Sequence, residues 1–230
     1  MTPVLEVENL SFAYDHRAPV LAGVSFAVQS GECVGIVGAN GAGKSTLLWC
    51  LLGLLKARGT VRWFGREQGR AEAGRIGVVF QNPEDQLFMP EVLEDVALGL
   101  INRGGEPAAA RRQALAALQE AGLAEAAARP ATQLSLGERK RAAIAAALAL
   151  APDLLLLDEP TAELDPRSVR QLAGLLAGLS MARLIASHHL EFLGRLCSRL
   201  LVLSQGRLMA QGPAAEILAD AALLECAGLV

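Results

Sequence analysis

The chain has 230 residues, 52% of them hydrophobic and 20% charged, a formal net charge of −3 and a mean hydropathy of +0.34. That length fits one compact domain, or a core with a subdomain, and excludes a multi-domain fusion. The longest uncharged apolar run, Ala142 to Ala151, falls far short of the roughly 20 residues that cross a bilayer, and the dispersed basic residues give no nucleic-acid footprint.

At the N-terminus, MTPVLEVENL carries acidic residues where a signal peptide would carry basic ones, which predicts a chain retained in the cytosol. Val4 to Phe12 and Val20 to Val28 read as strands joined by a turn at Asp15 to Pro19, an antiparallel portion ahead of the core. Cys33 to Val37 is apolar at every position, the mark of a strand buried on both faces of a parallel sheet. GANGAGKS follows immediately, and Ser45 to Leu55 reads as a helix. A glycine-rich loop between a strand and a helix that fits G-x-x-x-x-G-K-[ST] is a phosphate-binding loop. Its backbone amides, over Gly38, Ala39, Asn40, Gly41, Ala42 and Gly43, are expected to cradle phosphates beside the positive end of the helix that Thr46 continues. Lys44 would reach the β- and γ-phosphates of ATP, and the Ser45 hydroxyl would ligate Mg²⁺. Only three of the 21 basic residues are lysines, Lys44, Lys56 and Lys140, so a lysine marks a place where arginine would not serve.

Ile76 to Phe80 is a further buried strand, after which everything from Glu91 to Ala151 reads as helix. Then LLLLDEP, Leu154 to Pro160, is an apolar strand ending in two acids where a parallel sheet opens into its ligand crevice. Asp158 is expected to hold Mg²⁺ and Glu159 to polarise the attacking water as general base. A helix at Pro166 to Leu179 and apolar strands at Leu184 to Ala186 and Leu200 to Leu203 complete the alternation. The four cysteines, without a CxxC pair, read as small buried hydrophobes rather than metal ligands or disulfides. The predicted fold is α/β: a P-loop NTPase (RecA-like) core with a mostly parallel sheet, an N-terminal antiparallel β portion and an inserted helical subdomain. The expected division is a nucleotide-binding core over 1–90 and 152–230, its antiparallel portion within 1–30 and 58–66, and a helical subdomain over 91–151.

LSLGE, Leu134 to Glu138, resembles the signature motif of ABC-type ATPases, and its Ser135 with Glu138 also forms a capping box for the helix that follows. The resemblance extends along nearly the whole chain. It implies that Gln81 is the glutamine-loop residue facing Mg²⁺ and water, Asp165 belongs to the D-loop (AELD), His188 is the switch histidine on the γ-phosphate, and Tyr14 stacks on adenine. It implies that Ser135, Leu136, Gly137 and Glu138 contact ATP held by a second ATPase protomer, a homodimer partner or close paralogue. Leu136, Glu138, Glu163 and His189 depart from the commonest family pattern. QNPEDQLFMPEVLEDVALG, Gln81 to Gly99, looks like the energy-coupling-factor group, especially cobalt/nickel importer ATPases. That likeness implies a membrane-embedded coupling protein, a substrate-binding membrane subunit, and a peripheral place on the cytoplasmic face of the membrane. ILADAALLECAGL fits the same group, whose members often continue into a C-terminal extension past the position of Val230; the likeness therefore leaves extension-mediated dimer contacts open, and not the ATP sandwich. Leu87, Phe88 and Met89 fit equally a helical-subdomain core or a groove for the membrane partner. A soluble ABC-type ATPase of DNA repair or translation, or a small-molecule P-loop kinase, would explain less of the motif set.

Overall fold

A computed structural model describes residues 3–15, 18–67 and 74–229. Strands β1 (Leu5–Phe12), β2 (Leu21–Val28), β4 (Arg58–Trp63) and β5 (Arg66–Glu67) form an antiparallel sheet in the order β2-β1-β4-β5. Part of the turn predicted at 15–19 lies outside the described residues. A second sheet takes the order β10-β9-β3-β8-β7-β6, built from β3 (Cys33–Val37), β6 (Ile76–Val79), β7 (Leu154–Asp158), β8 (Ala182–Ser187), β9 (Arg199–Ser204) and β10 (Arg207–Pro213). Its first five strands in space from β6 are parallel, and β10 pairs antiparallel to β9. The fold is thus the mixed α/β P-loop type.

The solid apolar strands divide by the two-residue period between two cores. Val34, Ile36, Leu154, Leu156, Leu184 and Leu201 face helix α1 (Lys44–Leu51) and the antiparallel sheet, where Leu5, Trp63, Leu47 and Leu51 close the layer. Val37, Leu155, Leu157, Ile185 and Val202 face the other way, onto Leu172 and Leu176 of α5 (Pro166–Ala177) and Phe192 and Leu193 of α6 (Leu190–Leu196). Fully burying each such side chain is worth about 1.5–3 kcal/mol, so neither face tolerates a polar substitution. Helix α1 stops short of the expected Leu55 because Gly53 adopts φ 74°, and Leu54 swings outward.

Three helices, α2 (Val92–Asn102), α3 (Pro107–Glu120) and α4 (Leu136–Ala149), pack on a third core that includes Val92, Val96, Ala114, Leu118, Ala142 and Ala145. Alanines at the contacts let these backbones approach closely. Helix α4 belongs to two cores, since its Ala143, Ile144 and Ala147 pack under the parallel sheet. The chain continues through α7 (Ala214–Ala219) and α8 (Ala221–Cys226). Cys33, Cys50 and Cys197 are buried, but Cys226 is exposed, a correction to the expectation for all four. Leu224 takes the inward place on that short helix and leaves Cys226 facing solvent.

The β9–β10 hairpin was not anticipated. Its turn residues Gln205 and Gly206 both have positive φ (48° and 74°), as two-residue hairpins of the primed type require. A Cβ on Gly206 would lie 2.1 Å from the Val20 carbonyl oxygen, so only glycine allows this turn to sit against β2.

Candidate functional site

The loop from Gly38 to Gly43 leaves β3 and turns sharply into α1. Gly38 must be glycine because an added Cβ would lie 2.4 Å from the Leu203 carbonyl oxygen. Gly43, at φ 104°, points the first amides of α1 into the loop, and no side chain caps them. The Ala42 amide donates to Ala39 O (3.1 Å), and Gly206 N donates to Ala42 O (3.1 Å), so the hairpin turn buttresses the loop. Lys44 folds back through the curl, its Nζ donating to Gly38 O at 2.7 Å and Ala39 O at 3.3 Å. A cleft of about 520 Å³ opens here, lined by Asn40, Gly41, Lys44, Ser45, Glu159 and His188, with Thr46, Gln81 and Glu163 beside them.

The far wall is the end of β7. Asp158 and Glu159 are both buried. Glu159 adopts φ 42°, a left-handed conformation that a non-glycine residue holds only when its surroundings fix it. Its amide donates to Ala186 O at 2.8 Å, and its carbonyl accepts from the Lys140 ammonium at 3.1 Å and from Ala162 N at 3.1 Å. The carboxylate bridges two partners: Oε1 lies 3.0 Å from Lys44 Nζ, and Oε2 lies 2.9 Å from His188 Nδ1 and 3.2 Å from Ser187 Oγ. Burial pushes this carboxyl up, but the hydrogen bonds and charges of Lys44 and His188 outweigh it and hold the group below its ordinary range. Asp158 behaves oppositely. Burial drives its pKa up, opposed by a hydrogen bond from Ser45 and reinforced by the neighbouring Glu159 charge. One carboxylate is therefore held ionised, chiefly by Lys44, while at the other, Asp158, the cost of burial exceeds what Ser45 and the charges of Lys44 and Lys140 return. Its Oδ1 is buried without a hydrogen-bond partner among the described residues. That orphaned oxygen, with the Ser45 hydroxyl and the Gln81 amide, is the hard donor set that a Mg²⁺ ion takes.

Other expected site residues lie around this centre or away from it. Gln81 is exposed and lines both the phosphate cleft and a second cleft of about 600 Å³, with Trp49, Glu84, Leu136, Arg139 and Lys140. Tyr14 does not line the phosphate cleft, and its ring stands edge-on to Phe12 at 4.8 Å. Asp165 caps α5, accepting from the amides of Arg167 and Ser168 and from the Ser168 hydroxyl. Ser135 and Glu138 form a complete capping box on α4. Leu136 is half-buried, and Gly137 is buried against its own chain, where a Cβ would lie 2.6 Å from Ser168 Oγ. Ser135, Gly137 and Glu138 do not line the cleft that holds Lys44. The segment Leu87 to Met89 divides: Leu87 is buried, while Phe88 is 67% exposed. Asp95 fixes this turn by accepting from the amides of Phe88 and Met89.

Several supporting residues escaped the sequence reading. Gln86 braces the glutamine loop by accepting from Phe80 N (2.8 Å) and donating to Val78 O (2.9 Å). Arg139 on α4 pairs with Glu84 at 2.6 Å, tying that helix to the segment after β6. A polar residue seven positions past a strand end and an i, i+55 charge pair leave no periodic trace.

A phosphate-binding loop facing Glu159 and a histidine across one cleft, with Asp158 hydrogen-bonded to the loop's Ser45, on a mixed sheet, defines a P-loop nucleoside triphosphatase. Residues 21–162 match the ABC transporter family. The chain belongs to that family and is an ABC transporter ATPase, binding and hydrolysing ATP in coupling to transport. It is similar to two Rhodobacter capsulatus proteins: the cobalt import ATP-binding protein CbiO (41% identity, 100% of this chain and 85% of the relative) and the nickel import ATP-binding protein NikO (40%, 100% and 97%). Among solved structures, CbiO1 of Clostridium perfringens, described as part of the CbiONQ transporter complex, superposes with a TM-score of 0.86 at 32% identity, covering 100% of this chain and 96% of that one.

Proposed function

We propose that this chain is the ATP-hydrolysing subunit of an energy-coupling-factor importer for cobalt, nickel or a vitamin, working as a dimer around two ATP molecules. The observation that carries the dimer is the separation of its parts: Lys44, Ser45, Glu159 and His188 share one cleft, and Ser135 and Gly137 are not in it. A second protomer meeting head to tail would bring its Ser135 to Glu138 segment to the phosphate held by the first. The names of the similar import proteins, CbiO and NikO, support the importer reading.

In this reading Lys44 leaves Glu159 for the β- and γ-phosphates, with loop amides from Gly38 to Thr46 around them. Glu159, freed from the ammonium, then orients water and accepts its proton, and His188 stays hydrogen-bonded to the same carboxylate. Ser45, Gln81 and Asp158 would hold Mg²⁺, which supplies charge neutralisation of the phosphates when bound. Tyr14 would reach adenine only by leaving Phe12. Asp165 and its loop would lie at the protomer interface. No described helix is long and apolar enough to cross a membrane, so attachment to the cytoplasmic face would run through a membrane-embedded coupling protein. Exposed Phe88, beside the glutamine loop, belongs to the surface proposed to receive it.

Glu159→Gln tests the site: it should abolish turnover while trapping an ATP-bound dimer, and turnover at the wild-type rate would refute the general-base role. Affinity capture from detergent-solubilised membranes tests the partner. A small multi-span protein and a substrate-binding membrane subunit are expected; recovery of ribosomes or DNA would instead favour an ABC-type ATPase of translation or repair.

A further inference from the structure

Two of the three lysines are buried, and both end on the same residue. Lys44 meets the Glu159 side chain at 3.0 Å, while Lys140 donates to the Glu159 main-chain oxygen at 3.1 Å. Lys140 lies on α4, two residues past the capping box, and is 3% exposed. Nothing in the reaction as described above uses it.

We infer that Lys140 is a positioning residue for ATP hydrolysis: it pins the Glu159 peptide in its left-handed turn and so aims the Glu159 carboxylate into the cleft. The geometry calls for such a strut. With φ at 42°, the backbone of Glu159 is strained, and the direction of its side chain depends on keeping the peptide from relaxing. The carbonyl has two donors, Lys140 Nζ and Ala162 N, and only the first comes from another part of the chain. When Lys44 transfers to phosphate, the side chain loses its ion pair and keeps the hydrogen bond to His188, but the Lys140 anchor touches only the backbone and stays. The ammonium also sits among acids: Asp158, Glu159 and Glu163 all act on it, against the burial that disfavours its charge. A compact ammonium with three rotatable donors can meet the Glu159 carbonyl end-on, whereas the planar fork of arginine presents its donors in a fixed, wider geometry. That accounts for a lysine here in a chain whose cations are mostly arginine. Because Ser135 caps the start of α4, the same contact fixes the distance between the signature segment and the acid pair of one protomer.

The inference rests on the general-base role of Glu159, so the experiment separates the two. Lys140→Met keeps length and apolar packing while removing the donor. In the full-length protein it should lower kcat by about 10-fold to 100-fold, as expected for a misplaced reacting group, with KM for ATP and the affinity for ADP within about twofold of wild type. Lys140→Gln, which restores an N–H donor on a shorter arm, should recover part of kcat, and Lys140→Arg should not. The decisive arm is Lys140→Met in a Glu159→Gln background. If Lys140 acts through Glu159, the second change adds nothing to the residual rate; losses that multiply would overturn the inference. Full activity of Lys140→Met beside an inactive Glu159→Gln overturns it and spares the general-base role. Full activity of Glu159→Gln alone overturns both. Should Lys140→Met fail to fold, the comparison is carried by Lys140→Gln against Lys140→Arg, and equal activity of these two would overturn it.

Discussion

Lys44 cannot serve Glu159 and a nucleotide at once, so in the nucleotide-free site the ion pair competes with phosphate. Replacing Glu159 by glutamine should therefore tighten nucleotide binding while weakening the empty protein. At the observed 3.0 Å separation, two unit charges attract by about 5.5 kcal/mol at an effective dielectric constant near 20. Much of that is recovered after substitution. The glutamine amide oxygen still accepts from Lys44, and the ammonium keeps its bonds to Gly38 O and Ala39 O. A net difference of about 2 kcal/mol is the expectation, inside the penalty for leaving one buried charge unpaired. The nucleotide-free variant should then melt about 4–8 °C below wild type, at roughly 2–4 °C per kcal/mol for a chain this size. Its affinity for ADP should rise about 30-fold, since 1.4 kcal/mol is a factor of ten. ADP is the right ligand because it reaches Lys44 without hydrolysis or dimer closure confusing the measurement. Isothermal titration with Mg²⁺-ADP and a parallel melting curve read both numbers. An unchanged or weaker ADP affinity would show that the pair does not compete with phosphate and would refute the reasoning.

Ser135→Ala should cost about 1 kcal/mol of stability through its lost cap and remove ATP turnover. Ser135→Asp keeps a cap but presents a carboxylate to phosphate, so thermal melting should separate the two variants while both stay inactive. His189 stands in a place commonly held by aspartate, and its Nδ1 accepts from Phe192 N at 3.1 Å; His189→Asp should keep the cap and the ATPase rate, and His189→Ala should lose about 1 kcal/mol in urea denaturation. Burial opposes the Glu32 charge, but Arg199 at 2.7 Å and the Gln29 amide prevail and hold its carboxyl below the usual 4.5. The unfolded chain thus binds more protons in acid, so this stabilisation is complete above about pH 5 and disappears as pH falls through the lowered value. Arg199→Ala should flatten the acid slope of the urea midpoint; an unaltered slope would assign acid sensitivity elsewhere.

What could be read from the sequence was whatever the chain writes locally. The strands at 33–37 and 154–157 announce themselves because both faces are buried, and the loop at 38–45 because its glycines, lysine and serine are contiguous. The acid pair follows its strand directly. What stayed hidden depends on partners far along the chain. Gly206 looks like any turn glycine until Val20 and Ala42 close on it. Gly137 carries a second constraint unrelated to nucleotide, the approach of α5 through Ser168. Leu87 and Phe88 are adjacent and equally apolar, and only the turn fixed by Asp95 sends one inward and the other out. Lys140 stood out by its rarity, but the carbonyl it serves is 19 residues away.

The alanine-rich surface of α4 has a mechanical meaning. Between the sheet and the helical layer this helix presents mostly single methyl groups, Ala143 and Ala147 on one flank and Ala142 and Ala145 on the other. Methyls make shallow ridges with no rotamers to exchange, so small sliding steps along α4 leave few side chains to repack. The helix is suited to act as a bearing: the α2–α3 layer can shift over its Ala142 and Ala145 flank while Lys140, near its front end, holds α4 to Glu159. Enlarging one of those methyls, as in Ala145→Leu, would replace the smooth track with a notch and slow any step that requires the two layers to move past each other.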